Sequence, residues 1–227
     1  MKTYRDRINW KLQLVELLVV ILGITIAFYI EEWREHRKAE KSLILSLESL
    51  IADLESDRNN LSRYMVRVNE QKALALAFTM ESIKKGEFDY DSLKEVTPLI
   101  YSMSSTSLQT AALEVAQESG SLRTLQNTVL REQIFTYYQA NGGQMEFLTE
   151  IEKNIANELA VYLTHHFPVH YDGNYMSEEL YADMVFRNLL VRYQKSMSWK
   201  TEEYKRIEED TEDLIQAIQH ELDRIKE

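Results

Sequence analysis

The feature that most constrains this chain is an uninterrupted apolar stretch at residues 12–30, which reads LQLVELLVVILGITIAFYI. It is about 19 residues long, close to the roughly 20 that an α-helix needs to cross the hydrocarbon core of a bilayer. The stretch holds no Lys or Arg and one acidic residue, Glu16. A signal peptide would end in a small-residue cleavage site, and no such pattern follows this stretch. We therefore predict a membrane helix at 12–30, preceded by a short basic tail at 1–11.

Two tryptophans, Trp10 and Trp33, flank the apolar stretch. On a helix they would lie about 34 Å apart, which matches the distance between the two headgroup layers of a bilayer. Tryptophan is enriched in both of these layers, so we predict that the pair are interfacial anchors. The alternative is a buried helix of a soluble domain, which the length of the run and its aromatic flanks disfavour.

One face of the predicted membrane helix collects its polar and small residues. These positions recur at steps of three and four, and we call them the seam: Gln13, Glu16, Val20, Gly23, Ala27 and Ile30. Gly23 and Ala27 form a small-xxx-small pair, which lets two helices approach closely. We predict that the seam mediates self-association, with Gln13 and Glu16 forming hydrogen bonds between helices or lining a narrow polar path. Glu16 lies only about 6 Å inside the stretch, so snorkelling towards the headgroups is the simpler explanation of its charge.

Basic residues flank the stretch almost evenly, so they give the orientation little bias. Four precede the stretch and four follow it closely: Lys2, Arg5, Arg7, Lys11, Arg34, Arg37, Lys38 and Lys41. The positive-inside rule counts such residues near the ends of a span. Because the short leading tail is basic, we predict a cytoplasmic N-terminus and a large domain on the other side of the membrane.

The composition limits the fold of the domain at residues 31–227. The whole chain has six Gly and two Pro, which are too few for the many turns of a β-sheet protein. A net charge of −11 argues against a nucleic-acid partner, which would require a basic surface. The absence of cysteine excludes disulfides and thiolate metal sites.

Helical periodicity runs through the domain. No Gly or Pro occurs between Gly23 and Gly86, and leucines recur at steps of three and four, so we predict one helix from the membrane to Gly86. Later helices are predicted after Thr97-Pro98, from the Thr106 capping box to Glu118, from Asn127 to Pro168, and from Ser177 to the C-terminus. Asn141-Gly142-Gly143 should kink or break the third of these. The predicted fold is all-α: one N-terminal transmembrane helix that continues into a long stalk helix and an antiparallel helical bundle, with a coiled-coil pattern in the last third.

The one plausible group of metal ligands in the sequence is His165, His166, His170 and Asp172. Its spacing matches no zinc pattern, and a solvated loop between helices explains it better, so we predict no metal and no cofactor. Nucleophile-elbow and phosphate-loop motifs are absent from the sequence, which favours a protein that is not an enzyme.

The chain has thirteen tyrosines, and several of them fall near predicted loops or on helix surfaces. Tyrosine suits binding interfaces because it combines apolar area with a hydroxyl group. Partly buried core tyrosines are the more ordinary interpretation. The residues in question are Tyr137, Tyr138, Tyr162, Tyr171, Tyr175 and Tyr181.

Two segments carry a resemblance to a known family. The first is the pattern of Glu16, Gly23, Ile24, Ala27, Ile30, Trp33, Arg34 and Glu35, and the second runs from Leu113 through Ser119-Gly120 and Asn127 to Tyr137-Tyr138. Together they resemble an uncharacterised family of bacterial single-span membrane proteins, the domain of unknown function numbered 6090. The resemblance implies a location in the bacterial inner membrane and a helical extramembrane domain. It implies no reaction.

These patterns favour a membrane-anchored, non-enzymatic helical protein that self-associates through its membrane helix and presents its bundle to a protein partner. Two alternatives stay open. One is a small oligomeric channel or ion-coupled assembly with Glu16 around the path. The other is a ligand-sensing helical domain that needs a partner for its output.

Overall fold

The computed structural model describes residues 10–87, 103, 105–166 and 178–227, and these ranges are mostly helical and contain no strand. The α-helices are α1 (Trp10–Asn60), α2 (Arg67–Lys85), α3 (Ala111–Glu118), α4 (Thr128–His166), α5 (Glu178–Ala182) and α6 (Met184–Lys226). A π-helical turn, Leu61–Val66, joins α1 to α2, and a 3₁₀ turn, Ser121–Thr124, precedes α4. The all-α prediction is confirmed. Several predicted features lie outside the described residues: Thr97-Pro98, Pro168, His170, Tyr171, Asp172, Tyr175 and Ser177.

The first helix is as long as the sequence predicts. The chain stays helical from Trp10 to Lys85 and ends at Gly86, which adopts a left-handed conformation (φ 68°). Its backbone N–H donates to the carbonyl of Ile83. Only glycine occupies this conformation without a steric penalty, which is why the helix ends here.

The first part of α1 extends beyond the rest of the molecule. Residues 14–30 are exposed throughout, and their large apolar side chains are each 50% exposed or more. Packing against other helices begins at Leu43, which is 5% exposed. Helix α1 is thus long and apolar enough to span a membrane, and the apolar window that meets this test is not buried in the structure.

Ion pairs show how the long helices are arranged. Helix α6 runs antiparallel to the first helix, because Lys226 pairs with Glu48 near one end and Lys205 pairs with Glu70 farther along. It also runs antiparallel to α4, where Arg192 pairs with Glu158 and Asn127 binds Glu221. Short helix α3 packs back along α1. The architecture is an antiparallel bundle from which the exposed apolar segment protrudes.

The described residues form two separate apolar cores. The near half, on the side of the exposed segment, buries residues of α1, α3, α4 and the C-terminal part of α6: Leu43, Leu47, Leu50, Leu54, Ile134, Leu148, Tyr204, Ile207 and Ile218 are examples. The far half buries residues of α2, the second part of α4 and the first part of α6, such as Leu76, Ile83, Ile155, Leu159, Leu190, Tyr193 and Met197. The predicted apolar stripes therefore form the core.

Three expectations about where helices begin or break are wrong. Helix α4 continues without a break through Gly142 and Gly143, because its buried face packs on both sides of them. Helix α3 begins at Ala111, later than the Thr106 capping box places it.

The last long helix is interrupted at Asp183, whose carboxylate accepts a bond from the backbone N–H of Phe186. Met184 occupies the first turn after this cap and is 72% exposed. In the first turn of α2, Val68 is half-buried and Asn69 takes the fully buried position.

Replacing Gly143 with alanine should stabilise the protein. Its ideal Cβ meets nothing within 4 Å and its backbone is helical, so the change gains helix propensity without a clash. We expect a rise of about 0.5–1 kcal/mol in the free energy of unfolding, measured by denaturant titration with far-UV circular dichroism. Gly120→Ala is the matched control, because Gly120 has φ 72° and the change should cost about 1 kcal/mol. Equal effects at the two positions would contradict this account.

Candidate functional site

The first candidate surface is the seam on the exposed part of α1. Glu16, Val20, Gly23 and Ala27 are all exposed, and a Cβ added to Gly23 would meet nothing within 4 Å. Trp33, the predicted anchor, is 58% exposed, and the guanidinium of Arg37 lies 5.7 Å from its ring centroid. The side chains of Trp10 and Gln13 lie outside the description, although both residues belong to α1.

The seam and the bundle lie on opposite faces of α1. An α-helix turns 100° per residue, so about 18 residues make five full turns and return to the same face. Leu43, the first core residue, therefore shares a face with Thr25, which points about 200° away from Ala27. Because α1 is a single uninterrupted helix, this angle between the two faces is the same in the exposed segment and in the bundle.

The face of the seam stays uncovered along the rest of α1. The residues five turns beyond seam positions are Arg34, Lys38, Lys41 and Leu45, and all are exposed. Leu45, in line with Ala27, is 54% exposed although Leu43 and Leu47 beside it are buried. The described part of the bundle therefore leaves the seam accessible to another molecule from Glu16 to Ile30.

The second candidate site is a charged layer inside the bundle. Each of the three long helical segments contributes one residue: Lys72 from α2, Glu152 from α4 and Lys200 from α6. Their side chains are 1% exposed, and both ammonium groups donate to the Glu152 carboxylate, one to each oxygen. A buried charge is costly unless it is paired, and here one carboxylate serves two cations.

Aromatic side chains border this charged layer. The Tyr193 hydroxyl lies 3.5 Å from Oε1 of Glu152, and the Lys200 ammonium lies 5.3 Å from the Tyr204 ring centroid. Burial lowers the pKa of Lys200, with the charge of Glu152 acting in the opposite direction. The layer can therefore fix the relative positions of three helices, and its buried charges would gain hydration if the helices separated.

The sequence did carry a signal for this layer. In each of the three apolar stripes, one position of the three-and-four spacing holds a charged residue: Lys72 before Leu76, Glu152 after Leu148, and Lys200 before Tyr204. A charge at a core position of every stripe indicates mutual pairing. The sequence could not show that the three positions lie at the same height along the bundle axis.

A third polar feature joins α1 to the start of α3. Asp57 is 2% exposed and accepts the backbone N–H of Gln109 with both carboxylate oxygens, at 3.2 and 3.0 Å. One turn earlier, Asp53 accepts the N–H of Ala112 at 3.0 Å. Asp53 thus satisfies an orphan donor in the first turn of α3, which has no side-chain cap of its own, and Asp57 binds the backbone just before that turn.

A groove of about 480 Å³ runs between α4 and α6. Tyr137 and Leu214 form part of its floor, and Glu132, Asp210 and Asp213 are among its charged lining residues. The Tyr137 hydroxyl shares a 2.7 Å hydrogen bond with Thr211, so this tyrosine is anchored in the core.

The remaining sequence candidates are structural or surface residues. His165 and His166 are exposed at the end of α4, where Nδ1 of His166 lies 3.0 Å from the carbonyl of Tyr162. No group of three potential metal ligands occurs within the described ranges. Tyr137, Tyr138 and Tyr181 are buried, in line with the core interpretation of the tyrosines.

Comparison with known proteins adds no relative: no family model, no curated protein and no solved structure matches this chain. The resemblance to the uncharacterised single-span family stays a prediction, as do the roles of Glu16 and Gly23 that follow from the seam.

Asp57 should make stability depend on pH. Burial raises its pKa to about 6, with the neighbouring Asp53 adding to the rise and the Gln109 N–H opposing it. The folded protein then holds a proton that the unfolded chain releases near pH 4, so this group stabilises the fold most below pH 4. That contribution is lost as the pH rises through 6.

We expect Asp57→Asn to remove this dependence, since the amide oxygen can still accept the Gln109 N–H. Between pH 4 and 7, the free energy of unfolding of the variant should rise by roughly 3 kcal/mol relative to that of the wild type. Denaturant titrations across that range measure it. Glu55→Gln, an exposed neighbour, is the control, and a constant difference for Asp57→Asn would refute the prediction.

Proposed function

We propose that this chain is a membrane-anchored, non-enzymatic helical interaction protein that self-associates through the seam of α1. The observation that supports the proposal best is an exposed apolar segment built on the same uninterrupted helix as the bundle. Soluble monomers rarely expose contiguous apolar surface beyond a few hundred Å². A lipid environment for residues 12–30 removes this surface from water.

The positions of the polar and small residues favour a second copy of the chain as the partner in the membrane. Lipid tails are as apolar as leucine, so helices in a bilayer associate through close packing and hydrogen bonds. Gly23 and Ala27 allow close approach, and Glu16 supplies a polar group on the same face. In a parallel dimer that pairs the two seams, the bundles would lie on the outer sides of the paired α1 helices, since each bundle packs on the face of α1 opposite the seam.

We further propose the bacterial inner membrane as the location, with the N-terminus in the cytoplasm and the bundle outside it. The basic tail at 1–11 supports this orientation, and the family resemblance supports the bacterial membrane. In this arrangement Trp33 lies about 4–5 Å beyond Ile30, at the depth of the headgroups.

Disulfide cross-linking tests the seam directly, because the chain has no native cysteine. In membranes, full-length Ala27→Cys should form dimers on mild oxidation, whereas Thr25→Cys should not. The two positions lie at nearly the same depth but on opposite faces of α1. The readout is the dimer fraction on a non-reducing gel.

Gly23→Leu provides the second arm of this test. Combined with Ala27→Cys, it should reduce the cross-linked fraction at least about tenfold, because a bulky side chain on the seam prevents close approach. Equal cross-linking at positions 25 and 27, or a fraction unchanged by Gly23→Leu, would overturn the proposed self-association.

A further inference from the structure

We propose that the charged layer of Lys72, Glu152 and Lys200 is a joint, at which the far half of the bundle opens as a unit while the near half stays folded. The proposal does not depend on self-association or on the identity of a partner. It rests on where the layer lies, on what it separates and on what opening would do to its charges.

The layer coincides with the boundary between the two apolar cores. On the first helix, Met65 belongs to the near core and Leu76 to the far core, and Lys72 lies between them. The same order occurs on α4, where Glu152 lies between Leu148 and Ile155. Helix α6 repeats it, with Lys200 between Tyr204 and Met197. Each half therefore has its own cluster of buried apolar side chains.

The polar character of this level extends beyond the three charges. Asn69 and Thr201 are also buried here, at 0% and 7% exposure. On α1 in the near half, the leucines at 47, 50 and 54 occupy successive core positions, all at 0% exposure, and the buried carboxylate of Asp57 follows them. Since apolar burial is the main favourable term in folding, the two cores are coupled weakly across a layer that contributes little of it.

The backbone of the first helix also changes close to this layer. The π-helical turn Leu61–Val66 leads directly into α2 and ends six residues before Lys72, and its buried residues Leu61, Met65 and Val66 belong to the near core. The other long helices, α4 and α6, pass through this level without interruption. Single-turn π segments inside α-helices occur frequently at functional sites, and this one marks where regular α-helical hydrogen bonding of the near half ends and α2 begins.

Opening at this layer breaks two buried ion pairs and returns their charged groups to water. In the closed bundle, both ammonium groups share the Glu152 carboxylate, and all three charged groups are removed from water. Unfolding of the far parts of α2, α4 and α6 would hydrate all three, and this hydration offsets the loss of the ion pairs. The loss of the far apolar core opposes opening, so the far half should open at a measurable rate under native conditions, in the manner of sub-global unfolding.

Native-state hydrogen exchange of the full-length protein in lipid nanodiscs tests the joint. Backbone amides at 72–83, 152–163 and 189–197 should exchange with one common protection factor. That factor should be at least about tenfold lower than the factor for amides at 47–57, 130–148 and 207–222. Equal protection in the two halves of the wild-type protein would overturn the proposal, and this comparison requires no variant.

Replacement of the layer by apolar residues provides the second arm. The triple variant Lys72→Met, Glu152→Leu and Lys200→Met should raise the protection of the far amides at least about tenfold and leave the near amides unchanged. The matched control is the pair Tyr137→Phe and Thr211→Val, which removes a buried hydrogen bond from the near half. An equal change in both halves for the triple variant would contradict a joint at this layer.

If the triple variant does not fold, Glu152→Gln gives the same information with the opposite sign. It leaves two buried ammonium groups without their shared carboxylate, so protection should fall at least about tenfold in the far half and stay the same in the near half. A fall of equal size in both halves would overturn the proposal.

Discussion

The uninterrupted hydrogen bonding of α1 is the constraint on which the rest of the structure depends. From Trp10 to Asn60 every residue belongs to one α-helix, so the direction of each side chain is fixed relative to all others. The bundle packs on the face that contains Leu43, Leu47 and Leu50. The seam therefore points away from the bundle, and a break anywhere between Ile30 and Leu43 would remove that relationship.

The bundle itself depends on two kinds of interaction that act at different levels. Apolar packing stabilises the near and far halves separately. Between them, the Lys72–Glu152–Lys200 layer fixes the alignment of α2, α4 and α6, because any shift of one helix would leave a buried charge without its partner. Polar contacts at Asp53 and Asp57 attach α3 to α1 in a similar way, through caps supplied by a different helix.

Some of these features could be predicted because their causes are local. The ends of helices at Gly86 and Ser119-Gly120 follow from the conformational freedom of glycine, and the start of α4 follows from the Asn127 side chain, which accepts the N–H of Leu130. The break expected at Gly142-Gly143 was wrong because tertiary packing of the same helix outweighs the low helix propensity of two glycines. Asp183 precedes an apolar run, as N-cap residues often do, and its carboxylate caps α6 where the sequence analysis predicted one continuous helix from Ser177.

The sequence by itself determined the all-α class, the exposed apolar helix and the rotational phase of the seam. These follow from hydrogen bonds between residues four apart and from a fixed 100° turn per residue, which need no information about distant parts of the chain. Only the tertiary structure decided that Glu152 meets Lys72, which is 80 residues away, and Lys200, which is 48 residues away. It likewise decided that Asp57 is buried against α3. Such contacts depend on how each helix is aligned with its neighbours along the bundle axis. The lengths of loops and helices elsewhere in the chain set that alignment.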